Sequence, residues 1–111
     1  MLVTTTNEIA AYKIVAHLGV VRGVTVRSRS IVGNLVGGLQ SIFGGNISVY
    51  TALAERARRD AYELMVEHAE AMGANAILAM RYESNDIMAG ITEVLAYGTA
   101  VRVERNGELA N

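Results

Sequence analysis

Two histidines, His17 and His68, are the only imidazoles in this 111-residue sequence, and it holds no cysteine. Thiolate metal sites, disulfides and cysteine nucleophiles are therefore excluded. The histidines stand far apart in the chain, and neither belongs to an H-E-x-x-H motif. Glu67 and Glu70, close to His68, fall on other faces of a helix, and Glu63 and His68 do not have a ligand spacing. One chain thus clusters no ligand set for a metal ion. Copies arranged around a symmetry axis would each need to supply only one ligand, and His17 and His68 are the candidates for that role. Otherwise they read as hydrogen-bonded imidazoles on packed surfaces.

The other chemistry-bearing residue types give less. Glycines recur from Gly33 to Gly45, but neither G-x-x-x-x-G-K-[ST] nor G-x-G-x-x-G is present, so they read as turns and close packing rather than a phosphate cradle. Arg56, Arg58 and Arg59 are interleaved with Glu55, Asp60 and Glu63, which reads as a solvated helix face. Arg27-Ser28-Arg29-Ser30 is the most basic local patch. Aromatic residues make up 5% of the chain and the net charge is −1, which argues against a stacking or electrostatic platform for nucleic acid. No G-x-S-x-G elbow exists, and no catalytic constellation assembles in sequence. An enzyme would have to build its site between subunits, with Tyr50, Arg58 and Glu83 as the residues to use. The reading is non-enzymatic, with no cofactor beyond a possible metal ion.

The elements that must position these residues are clear. Lys13–Arg27 is rich in Ile and Val and reads as one long bent strand in preference to a hairpin. Its even positions carry Ile14, Ala16, Leu18, Val20, Val24 and Val26, and its odd positions are mixed. Gly19 and Gly23 mark bulges or close backbone approaches. Ser28–Gly45 has helical spacing but costly glycines, a helix only if docked. From Ser48, a good N-cap, a long helix runs to Gly73, the expected left-handed stop. Leu53, Ala57, Ala61, Leu64, Met65, His68 and Met72 share its apolar face. Glu55–Arg59 and Arg56–Asp60 have helix-supporting spacing. Ala74–Glu83 is a strand with a continuous apolar run, Ser84–Gly90 a turn, and Thr92–Glu104 a last strand interrupted by Gly98. Residues 1–7 are polar and threonine-rich, and 108–111 read as a frayed tail.

This order predicts an α+β fold, a β-α-β-β subunit with one long helix on a three-stranded antiparallel sheet, all in a single domain over 1–111. The helix, roughly 36 Å long, exceeds what three strands cover. Apolar residues reach 51% against 19% charged, high for so small a domain. The densest apolar run, Ile14–Val21, is too short for a membrane span, and the first ten residues lack the pattern of a signal peptide. The surplus apolar surface therefore predicts a cytoplasmic homo-oligomer, with no membrane and no nucleic acid as partners.

Ile42, Gly44-Gly45, Tyr50, Leu53, Ala57-Arg58 and Ala61, then Met72-Gly73-Ala74-Asn75-Ala76-Ile77 and Tyr82-Glu83, resemble the YbjQ-like family, small bacterial proteins labelled as heavy-metal-binding. Thr4-Thr5, Gly19-Val20-Val21, Gly23 and Gly98-Thr99-Ala100-Val101 extend the resemblance from about Thr4 to Val103. It implies a dodecin-like subunit and a ring-shaped homo-oligomer, commonly a pentamer. The matching residues are Gly, Ala, Tyr and aliphatic, poor ligands for a soft metal, so the resemblance transfers no metal-binding residue.

Overall fold

The computed structural model describes residues 1–28 and 47–107. The docked helix expected over 28–45 (apart from Ser28, which ends a strand), the glycines from Gly33 to Gly45 and the tail at 108–111 lie outside them, as do the side chains of Ser48 and Tyr50. Among the described residues five elements follow in chain order: β1 (Leu2–Val3), β2 (Tyr12–Ser28), α1 (Ile47–Ala71), β3 (Ala76–Met88) and β4 (Ile91–Arg105). They form a mixed α+β fold, one helix on a four-stranded open sheet of order β1-β3-β4-β2.

The strand count corrects the expected three. The fourth is β1, parallel to β3, with Leu2 opposite Ala76 and Val3 opposite Ile77. The following threonines prolong the pairing: Thr4 N–H donates to the Ile77 carbonyl at 3.0 Å, and Ala79 N–H donates to the Thr6 carbonyl at 2.9 Å. Two residues are too few to display a strand's alternation, so composition hides such an edge.

β2 is one continuous strand paired antiparallel with β4, with irregularities at Ile14/Ala16 and His17/Gly19. Gly19 takes a positive φ of 125° there. The helix runs antiparallel to β2 and packs mainly on β2 and then β4. It takes β2's mixed face, not its apolar one. Val21 is fully buried, Thr25 Oγ1 donates to the Ala57 carbonyl at 3.3 Å, and Arg27 pairs with Asp60 at 3.0 Å. Gly23 makes this possible. A Cβ there would stand 1.9 Å from the Ala61 carbonyl oxygen and 2.5 Å from the Met65 nitrogen.

The buried stripe of α1 is Ala57, Ala61, Met65 and Ala69, one residue per turn. It is narrower than expected: Leu64 and Met72 are exposed, as is His68. Tyr62 and Val66, on the other side of the stripe, pack against the core in their place. The helix starts at Ile47, so the expected cap Ser48 falls inside its first turn. The spaced pairs are replaced by Arg58–Glu55 at 3.8 Å and Arg27–Asp60. At the other end Ala74 N–H donates to the Ala69 carbonyl and Gly73 N–H to the Glu70 carbonyl, with Gly73 at φ 83°. That is a Schellman stop. The Arg102 guanidinium donates to the Gly73 carbonyl at 2.7 Å, and Asn75 continues the ladder with its side chain. Its Nδ2 donates to the Val103 carbonyl at 2.9 Å and its Oδ1 accepts Val103 N–H at 2.8 Å.

Gly98 faces a bulge in β3, where the register slips between Leu78 and Arg81 and Ala79 takes φ 54°. A Cβ on Gly98 would stand 2.6 Å from Ile77 Cγ2. The bulge divides β3: Ala76–Met80 are mostly buried, and every residue from Arg81 to Met88 is exposed. The expected turn over Ser84–Gly90 is therefore strand up to Met88, closed by Ala89-Gly90 with Gly90 at φ 80°. Its polarity reflects solvent on both faces beyond the helix, not a change of backbone. On the face away from the helix, Ile9 and Tyr12 pack on Ala76, Leu78, Val101 and Val103 as a second small core.

Candidate functional site

Past the bulge, α1 and β3 separate, and the gap between them is a groove of about 550 Å³ lined by Glu55, Arg58, Arg59, Tyr62 and Tyr82. The four helix residues recur at i, i+3, i+4 and i+7, one face of the helix. This face adjoins the buried stripe and looks towards the strand that the helix barely touches. Tyr82 shares the helix side of the sheet with its register partner Ala96. A smaller recess of about 150 Å³ continues the groove, sharing Arg58 and Tyr82 and adding Ala54, Ala57 and Val94.

The arginines that sequence spacing assigned to a solvated face thus form the wall of a groove. Arg58 has only Glu55 at 3.8 Å, and Arg59 has no ion pair among the described residues. With Glu55 counted, the groove carries one net positive charge. The Tyr82 hydroxyl is held above its ordinary range, first by partial burial and then by Tyr62 and Glu55, with Arg58 pulling the other way. It is a neutral donor at physiological pH.

Of the residues suggested for an enzyme, Arg58 lines both grooves and Glu83 borders the smaller one. The Glu83 carboxylate turns to the other sheet face, where Tyr97 donates its hydroxyl to it at 3.1 Å. That bond holds the Tyr97 phenol above its ordinary range. The structure therefore does not join Arg58 and Glu83 in one constellation. Arg27 of the basic patch is engaged with Asp60.

His17 is exposed on β2, and His68 is exposed on α1. Arg22 N–H, on the outer edge of β2, donates to His68 Nδ1 at 3.2 Å. This places the neutral ring's proton on Nε2 and uses the lone pair that a metal would need. His17 lies five residues from Arg22, roughly 17 Å along a strand, so the histidines do not converge. No group of three His, Cys, Asp or Glu that could hold a metal ion occurs among the described residues. The donors of one chain do not fit a soft ion, and guanidinium groups line the main groove.

No helix among the described residues is long and apolar enough to cross a membrane. In comparison with known proteins, the chain is 59% identical over 103 residues to a UPF0145 protein of Chromobacterium violaceum, covering 93% of this chain and 88% of that one. It is 57% identical over 105 residues to a UPF0145 protein of Paraburkholderia phymatum, covering 95% of each. A crystal structure of a protein of unknown function from the DUF74 family of Pediococcus pentosaceus shares the fold. Its TM-score is 0.62 at 14% identity, over 94% of this chain and 98% of that one. The model of the YbjQ family, described as "putative heavy-metal-binding", matches residues 1–104, and the chain belongs to that family.

Proposed function

We propose that this chain is a cytoplasmic, non-enzymatic protein that works as a homo-oligomer, a dodecin-like ring of five copies, with a structural or small-ligand-binding role. The observation that carries the reading is the sheet face turned away from the helix. Val20, Val24 and Val26 are exposed by 68%, 39% and 52%, and Leu95 stands opposite Val24 in the register. The N-terminal segment covers this face only at its other end. Burying each valine is worth about 1.5–3 kcal/mol at most, and association itself costs about 4–15 kcal/mol. The three valines therefore need the neighbouring Leu95 and the exposed Ile87 and Met88 of the β3 tip to make a stable contact. A ring forms when the strip of one copy meets a different surface of the next, head to tail, since strip against strip would close two copies on themselves. The five-fold number rests on the family likeness. In sedimentation, V20K/V24K is expected to give a smaller species with the helix signal unchanged. An assembly of unchanged size in that variant would overturn this face as the interface.

A second reading follows from the family's description: a heavy-metal ion held by one residue from each copy around the axis. Exposed His17 supports it, whereas the Nδ1 of His68 is engaged by Arg22. Elemental analysis of tag-free protein incubated with zinc or copper decides the matter. Bound metal that disappears in His17→Ala supports this reading, and a metal-free preparation sinks it.

A further inference from the structure

We propose that Arg58, Arg59, Tyr62 and Tyr82 form a binding site for a small aromatic carboxylate. The groove of about 550 Å³ is of ligand size. Its two guanidinium groups are a planar fork matched to a carboxylate. Among the described residues neither is committed to a close partner: Glu55 stands 3.8 Å from Arg58, beyond hydrogen-bond distance. Tyr82 adds a neutral hydroxyl donor, and Tyr62 and Tyr82 add aromatic surface. The recess beside it, about 150 Å³, adds the small apolar Ala54, Ala57 and Val94 on one side and Glu83 and Ser84 on the other, room for one ring laid against its apolar side.

Arg58 and Tyr82 belong to both spaces. A ring in the recess therefore leaves its carboxylate beside Arg58 and Arg59. Other ligand classes use less of the site. Inorganic phosphate would engage the guanidinium groups and leave the recess unused. A neutral apolar molecule would find no aliphatic residue among the described residues of the larger groove. A metal cation would meet two positive charges against one carboxylate.

The inference deepens the small-ligand role proposed above and rests on that role, but it does not depend on assembly. The groove lies on the helix side of the sheet, and the valine strip lies on the other. Calorimetric titration of the full chain with benzoate, cyclohexanecarboxylate and inorganic phosphate tests it. Benzoate is expected to bind saturably and more tightly than either of the others. R58A/R59A should weaken it by about tenfold or more, the scale of lost charge-assisted hydrogen bonds. These side chains are exposed, so the variant should keep its melting temperature, and Tyr82→Phe should weaken binding less. The absence of saturable benzoate binding at millimolar concentration, or equal binding in R58A/R59A, overturns the site. A monomer that still binds benzoate would refute the assembly reading alone, and an assembly that does not bind it would refute this inference alone.

Discussion

Gly23 and Gly73 do different physical work, and one substitution at each separates the two kinds. At Gly23 an added Cβ meets backbone of the helix at 1.9 and 2.5 Å. Backbone cannot rotate aside, so Gly23→Ala must push α1 off β2. Its expected cost is roughly 3 kcal/mol, the top of the overpacking range, read from a urea unfolding curve. At Gly73 nothing lies within 4 Å, and the demand is only the φ of 83°. Gly73→Ala should cost about 1–2 kcal/mol, and Gly73→Val more, because a β-branched residue tolerates that φ worse. A curve in which Gly23→Ala is the milder of the two alanine variants would contradict the close packing of α1 on β2. The stop at Gly73 was legible from the chain, because a glycine after a long apolar period has one common meaning. Asn75 was legible only as part of a family-like run, since nothing local reveals that its amide pairs with Val103.

At the scale of elements, the long strand, the helix and the final pair of strands were readable because each is long enough to show its period. Two features escaped. β1 is too short to show one, and the tip of β3 is exposed on both faces and carries Ser84, Asn85 and Asp86, so it reads as a turn. The candidate site escaped for a related reason. Glu55, Arg58, Arg59 and Tyr62 look like any solvated face until the helix is set over β2 and β4, with β3 beyond them in the sheet. Pairing across β3 and β4 also sets a titration. Both Tyr82 and Tyr97 have raised phenol values, Tyr97 through its bond to Glu83 and Tyr82 mainly through burial. Above pH about 10 the folded chain holds more protons than the unfolded one. The stability these phenols contribute is therefore whole below that pH and is lost as pH rises through the folded-state values. In an ultraviolet titration of the native protein, Glu83→Gln should let one tyrosine ionise earlier than in the parent. An unchanged titration curve would mean that the Tyr97–Glu83 bond has no influence in solution.

The whole molecule has more surface than one chain can use. Its radius of gyration is 18.1 Å, with extents of 60 × 28 × 19 Å, whereas a compact domain of this length has a radius near 13 Å. The valines at 20, 24 and 26 face outwards on the back of the stretch of β2 that the helix covers. Composition already pointed to apolar surplus. It could not say which face carries it, because the alternation in β2 is the same whichever side the helix takes. Gly23 decides that, by admitting the helix only on its own side. The most direct measurement is the mass of the untagged protein in solution, by light scattering coupled to size-exclusion chromatography. A chain of 11.9 kDa assembled as a ring of five predicts about 60 kDa, that is five times the chain mass. A stable species at the mass of one chain would contradict the account.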